Sequence, residues 1–415
     1  MDTGNTAFLI ICTALVLMMT PALAFFYGGL VRAKSVISMM MMSFGSIAIV
    51  GVLWIVYGYA IAFPVLDSSS FYGIPGVFGI DLAHMGLEDL MVVPDGASVP
   101  PLVFAAFQAT FAIITVALIS GAIADRAKFG AWMVFAGVWA TFVYFPVASW
   151  IFNFTVVDGE MVNGGWLVYN VGALDFAGGT AVEINSGAAA LALALVLGKR
   201  IGFAKGVHKP HNVPFVLLGA GLLWFGWFGF NAGSAIAADG IAAIALINTM
   251  AAGTTGIIGW LIVERIKDGK ATSVGAASGA VAGLVAITPS CAFLTPTWAL
   301  VLGLVTGLLC ALAVELKFTF GFDDSLDVVG IHLVGGLIGT LFLGFFAAEV
   351  GLLYSGSFDQ LGKQAIAAFS VLIYSFVLTF AIGWVIEKTM GFRVRNEDEL
   401  AGIDLVMHGE ESYDY

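Results

Sequence analysis

Charge is scarce in this chain. Only 11% of its 415 residues are Asp, Glu, Lys or Arg. A water-soluble protein of this size needs a far more polar exterior. Basic residues are scarcer still: 16 Lys and Arg against 28 Asp and Glu give a formal net charge of −12. No basic surface for nucleic acid can be built from that balance. Cys12, Cys291 and Cys310 show no CxxC spacing, which excludes a disulfide framework and a cysteine-based metal site. Neither HExxH nor a nucleophile elbow occurs, so an intramembrane enzyme has no motif to rest on, and no cofactor is expected.

What fills the chain is apolar. Hydrophobic residues make up 60% of it, and the mean hydropathy is +1.00. Apolar runs long enough to cross a bilayer recur along the whole length. Eleven spans are predicted, at about 6–30, 38–62, 101–123, 131–152, 176–198, 213–236, 241–263, 272–289, 297–316, 328–348 and 365–387. The fold class is therefore an all-α polytopic membrane protein, whose 52 glycines point to close helix packing in a lipid bilayer. The N-terminal run lacks the basic n-region of a signal peptide and continues apolar to Val31, so it reads as the first span.

Fifteen of the sixteen basic residues, among them Arg126, Lys199, Arg200, Lys205 and Lys317, fall on one side of these spans; only Lys363 falls on the other. The positive-inside rule then puts the N-terminus outside and the C-terminus in the cytoplasm. Residues 64–100, with several acids and no basic residue, form an outer loop. The organisation is a transmembrane domain over 1–388 and a cytoplasmic tail over 389–415.

Glu183 stands in GGTAVEINSG, residues 178–187, without a basic neighbour. A carboxyl inside a membrane helix is expensive and marks a functional site by default. DFAGGTAVE at 175–183 is echoed by DSLDVVGIH at 324–332: each has an Asp eight residues before an ionisable group within a span. The first copy enters its span from outside and the second from inside, the pattern of an inverted five-helix repeat with its site at the interface. Glu183 and His332 are then expected to face each other near midplane and hand on a proton. For Asp175 and Asp324 two readings stand: helix N-caps, or direct contacts to a permeating cation. The aromatics Phe104, Phe107 and Phe111 share a helix face by spacing. Those of LLWFGWFGFNAGSA, residues 222–235, pack through a Gly229–Gly233 GxxxG or line a vestibule for a desolvated cation.

Taken together, several stretches resemble the Amt/Mep/Rh ammonium transporter family, its Amt/Mep branch in particular. They are FFYGGLVRAKSV (25–36), FQATFAIITVALISGAIADR (107–126), LDFAGGTAVEINSG (174–187), WFGWFGFNAGSA (224–235), DDSLDVVGIHLVGG (323–336) and ELAGIDLVMHGEESY (399–413). The resemblance implies a homotrimer in the plasma membrane with one hydrophobic pore per subunit, and the short loops and tail fit the inner membrane of a prokaryote. Ammonium would be recruited outside, lose a proton, and cross as ammonia. By resemblance, Phe111 and Phe230 form the phenylalanine gate, and Phe107 and Ser234 belong to the recruitment site. Trp227 lines the pore, Asp175 organises the outer site, and a PII-type signalling protein docks at the cytoplasmic face.

Two positions depart from the family pattern. Glu183 takes the place of the first of two pore histidines, His332 being the second. An ionised glutamate would hold a cation in the pore, whereas a protonated one could still pass a proton to His332. In PVASWIFNF, residues 146–154, Phe152 takes the place of the tryptophan over the recruited cation, with Trp150 two residues earlier; phenylalanine is the weaker cation–π partner. An ammonium sensor of the same fold, signalling through its tail with little flux, is the alternative to a transporter.

Overall fold

The computed structural model describes residues 1–157, 159–203 and 209–413. Lys205, counted above among the inner basic residues, lies outside them. Ten helices among the described residues are long and apolar enough to cross a membrane. They are α1 (Thr3–Leu30), α2 (Val36–Ala62), α3 (Pro101–Ile123), α4 (Phe129–Phe152), α5 (Gly179–Leu197) and α6 (Val213–Gly233). After α7 (Gly240–Lys267) comes a shorter apolar helix, α8 (Ser273–Ile287). Then follow α9 (Pro296–Phe320), α10 (Val329–Phe346) and α11 (Asp359–Thr389).

The run expected to span at 272–289 thus yields a helix of 15 residues. At the usual rise it reaches about 22 Å, short of the roughly 30 Å of a bilayer core. It stops because Thr288 and Pro289 open a turn over 288–293, whose carbonyls accept from the Phe176 amide and from Asn248.

Hydropathy is inverted relative to a soluble protein. Ile10 and Ile11 on α1, Phe44 and Val52 on α2, and Ile373, Val377 and Trp384 on α11 are exposed. The interior is packed through glycine. A methyl on Gly307 of α9 would lie 2.2 Å from the Gly256 carbonyl oxygen of α7, and one on Gly219 of α6 would lie 2.3 Å from the Phe26 nitrogen of α1. Without a solvent-driven term between helices, such close backbone approach is what holds membrane helices together.

Residues 64–100, expected only as a loop, contain a hairpin, β1 (Phe71–Ile74) with β2 (Phe78–Asp81). A second hairpin pairs β3 (Phe154–Val157) with β4 (Glu160–Gly164). Trp150 Nε1 donates to the Val77 carbonyl at 2.5 Å and the Trp166 amide donates to Gly76, which clamps the two hairpin regions together. This end of the bundle is called the loop face.

At the opposite end, the tail face, α12 (Asn396–Ala401) and α13 (Ile403–His408) lie under the bundle. Asp404 accepts from the Ile37 and Ser38 amides at 3.0 and 2.8 Å, capping the start of α2. Glu399 accepts from the Ile201 amide at 2.6 Å and from Arg393 at 2.8 Å. The tail is thus tied to the loops after α1 and α5.

Candidate functional site

Two helices in the centre of the bundle start partway into it. Asp175 holds the start of α5: its carboxylate accepts from the Gly178, Gly179, Thr180 and Ala181 amides and from the Thr180 hydroxyl. Asp324 holds the start of α10, accepting from the Val329 amide at 2.7 Å, and its Oδ1 has no partner among the described residues. Both acids are therefore caps. Both helices open with a π-helical stretch, Gly179–Ile184 and Val329–Leu333. Such stretches widen a helix by one residue per turn and recur at functional sites.

Glu183 lies in the first π-helical stretch and His332 in the second. Glu183 Oε2 and His332 Nδ1 are 2.6 Å apart and share a hydrogen bond, with both side chains buried. The approach depends on two glycines placed alike. Gly187, four residues after Glu183, packs on the backbone of Leu333; Gly336, four residues after His332, packs on Glu183 and Ile184. Whichever atom carries the proton, the hydrogen bond persists, so the proton can change owner without the groups moving.

Above this pair, toward the loop face, the Phe111 and Phe230 rings meet at 4.3 Å between centroids. A narrow void of about 10 Å³ is lined by Phe230, Trp227, Val182, Glu183, Val281 and His332. It is at the lower limit for a single water. On the other side of the ring pair a vestibule of about 400 Å³ is lined by Phe104, Gln108, Phe111, Phe152, Asp175 and Ser234, among others. Ser234 donates its hydroxyl to the Phe230 carbonyl at 2.8 Å, so its oxygen is held at the vestibule floor.

The structure brings together Glu183, His332, Phe111, Phe230 and Trp227, with Phe152, Ser234 and Asp175 above them. Phe107 and Trp150 do not line the vestibule. Phe107 is wholly buried, edge-on to Phe111 at 4.8 Å and against Gly233, because α6 covers that part of the α3 face. Trp150 is turned away to the hairpins and packs on Trp166 and Tyr374, its indole N–H being spent on Val77. Phe104 and Gln108, on the same helix as Phe111, line the vestibule instead.

The sequence reading also missed a buried ionic cluster at the tail face. Arg200 makes a forked contact with Asp323 and reaches Asp125 at 3.1 Å. Arg126, fully buried, donates to the Asp323 carbonyl, the Ala122 carbonyl and Ser325. Burial pulls the Arg126 guanidinium down to about 10, with neighbouring Asp323 opposing. Burial would raise the Asp323 carboxyl, but hydrogen bonds and charge from Arg200 and Arg126 prevail and hold it below its ordinary value. The signal was there: the pairs Asp125–Arg126, Lys199–Arg200 and Asp323–Asp324 all sit at span edges. No group of three or more His, Cys, Asp and Glu poised for a metal ion occurs among the described residues.

A polytopic helical membrane protein, with an aromatic-lined route leading to a buried acid–histidine pair, is the class that fold and site define. Residues 7–413 match the model of the Ammonium Transporter Family, and the chain belongs to that family. The ammonium transporter of Mycobacterium tuberculosis (strain ATCC 25618 / H37Rv) is 53% identical over 435 residues, covering 100% of this chain and 91% of the relative. Among solved structures, Mep2 of Candida albicans matches with a TM-score of 0.86 at 33% identity, covering 100% of this chain and 91% of that one. A protein described as a sensor Amt protein matches with a TM-score of 0.87 at 29% identity, covering 98% of each. The family is one of membrane transporters, not enzymes.

Proposed function

We propose that the chain moves ammonium across the plasma membrane by splitting it into ammonia and a proton. Ammonium enters the vestibule from the loop face, where the rings of Phe104 and Phe152, the Ser234 oxygen and the nearby Asp175 carboxylate favour a cation. Asp175 also fixes the start of α5. A charged ion cannot enter the narrow void without losing its water, and the apolar walls offer little in exchange. Neutral ammonia passes the Phe111–Phe230 rings past Trp227, while the proton is handed on by Glu183 and His332. The observation that carries this reading is the 2.6 Å contact between two buried ionisable groups directly below the ring pair.

The short helix α8 counts as the eleventh crossing segment, which puts the N-terminus outside and the tail in the cytoplasm. The matched placements of Glu183 with Gly187 and His332 with Gly336 support an inverted five-helix repeat. Residues 1–388 form the transmembrane domain and 389–415 the cytoplasmic tail. The functional unit is a homotrimer in the plasma membrane, of the inner-membrane kind in a prokaryote. The tail face is where a PII-type signalling protein docks.

The test is current across a solid-supported membrane bearing the purified protein, on ammonium and then potassium jumps. Ammonium current without potassium current supports the split mechanism. Current from both ions overturns it in favour of cation conduction through an ionised Glu183. A second reading, a sensor with little flux, is favoured by the likeness to the sensor Amt protein and by the ordered tail. Ammonium binding without any current would establish it in place of transport.

A further inference from the structure

Beside the void lies a polar fastening that the transport reading does not use. Trp227 Nε1 donates to Thr288 Oγ1 at 2.9 Å, and Thr288 Oγ1 donates in turn to the Leu284 carbonyl at 2.8 Å. Thr288 is fully buried and stands at the end of the short helix α8. The same turn also packs on the segment that leads into α5. The Phe176 amide donates to the Pro289 carbonyl at 3.1 Å, and a methyl on Gly179 would lie 2.4 Å from the Pro289 ring. Phe176 and Gly179 belong to the segment that leads into Glu183. The turn is itself pinned from outside: Asn248 donates to the Cys291 and Leu294 carbonyls at 2.8 and 2.7 Å, and the Ala348 amide donates to Phe293 at 2.8 Å.

An indole has one donor, and in an apolar interior that donor must find an acceptor. Thr288 supplies it from a rigid turn, so the ring has a single orientation beside Phe230, 5.7 Å away between centroids. A full-length α8 would carry residue 288 on inside a helix, without the turn that reaches α5. The shortness of α8 therefore has a consequence at the pore.

We propose that Thr288 is a positioning residue for the pore. Through its hydroxyl it fixes the Trp227 indole, and through the Thr288–Pro289 turn it sets that ring's distance from the helix bearing Glu183. Thr288 acts through Trp227 and touches no substrate. The inference rests on the transport reading for its kinetic consequence, though not for its geometry.

Two substitutions separate the hydroxyl from the bulk. Thr288→Val leaves the indole N–H without an acceptor, whereas Thr288→Ser keeps the acceptor. The expected result for Thr288→Val is a saturated ammonium current lower by about tenfold, the worth of one buried hydrogen bond. The half-saturating ammonium concentration stays within about twofold, because the vestibule lining is untouched, and Thr288→Ser stays close to native. In a Trp227→Phe background the indole donor is gone, so Thr288→Val should add no further loss. A native current in Thr288→Val, equal impairment of the Ser variant, or an additive loss in the double variant would each overturn the proposal. The second readout is the indole hydrogen-bond band in ultraviolet resonance Raman difference spectra against Trp227→Phe. A shift to the free-indole position in Thr288→Val but not in Thr288→Ser supports the fastening, and no shift refutes it. If the native chain carries no ammonium current, the transport reading fails while this band still decides the fastening.

Discussion

The Glu183–His332 contact exists because two glycines allow it, and that makes it breakable without touching either partner. A methyl at Gly187 would lie 2.4 Å from the Leu333 nitrogen. A methyl at Gly336 would lie 2.9 Å from the Glu183 Cβ. Tolerable contact begins near 3.4 Å, so Gly187→Ala must part α5 and α10 by about 1 Å, and Gly336→Ala by about half as much. If the whole displacement reaches the side chains, the 2.6 Å contact lengthens to about 3.6 Å in the first variant, which is no longer a hydrogen bond. A hydrogen bond to a charged group is worth about 1.5–3 kcal/mol, equivalent to roughly 10- to 150-fold in a step that depends on it. Gly187→Ala should therefore lose at least about tenfold of the ammonium current, and Gly336→Ala clearly less. The assay is the solid-supported membrane current, normalised to protein whose elution and melting match the native chain. Native current in Gly187→Ala would refute the dependence of flux on the contact. A larger loss in Gly336→Ala than in Gly187→Ala would refute the steric reasoning.

Three further outcomes are expected. His332→Ala removes one partner of the buried pair and should abolish ammonium current; undiminished current in well-folded protein would take His332 out of the proposed relay. Phe230→Ala opens the ring pair, at a packing cost of about 3–5 kcal/mol, and should let potassium through. A potassium jump that still gives no current would argue against a gate there. Asp324 lies in the segment between the helices α9 and α10, where burial pushes its carboxyl up to about 6 against the opposing charge of Lys317. Its folded value exceeds its unfolded one, so its contribution to stability is full below about pH 4 and is lost as pH rises through about 6. The loss amounts to about 3 kcal/mol, and Asp324→Asn keeps an acceptor for the Val329 amide without titrating. The melting temperature of the Asn variant relative to the native chain should rise between pH 4.5 and pH 7.5, and a constant difference would contradict the assignment.

Apolar runs made ten of the spans legible, because a bilayer demands length and hydrophobicity of each helix separately. The eighth, expected at 272–289, ends two residues earlier, at Ile287. Hydropathy continues through Ile287 and past Cys291, and the TPS turn at 288–290 has no weight in an average of that kind. Turn chemistry marks the end and periodicity does not. The vestibule shows the limit of face arguments. Spacing puts Phe104, Phe107 and Phe111 on one side of α3, but which of them is free depends on where α6 crosses. Gly233 meets Phe107 and leaves Phe104 open to the cavity. Trp150 is decided by a hairpin some 70 residues earlier, which no local pattern announces. The ionic cluster at the tail face escaped for a related reason. Arg126, Arg200 and Asp323 are each ordinary span-edge charges until three distant segments converge.

Glu183 shows why distance in sequence misleads about cost. It has no basic neighbour in the chain, and a lone carboxyl in an apolar interior would be prohibitively expensive. The structure meets the cost with a partner 149 residues away. That partner arrives because each helix starts partway into the bundle behind an aspartate cap, opens in a π-helical stretch, and offers a glycine one turn on. Three local features, each legible alone as a cap, a wide turn or a small residue, become one device only when repeated in two segments that face each other. The repetition also accounts for how position 183 can hold a glutamate. The glycines and caps set where the two side chains meet, and the side chain at 183 need only carry a proton-exchanging atom to that point. A histidine at 183 should thus keep the contact and ammonium flux, and a glutamine should keep the contact but lose the exchange.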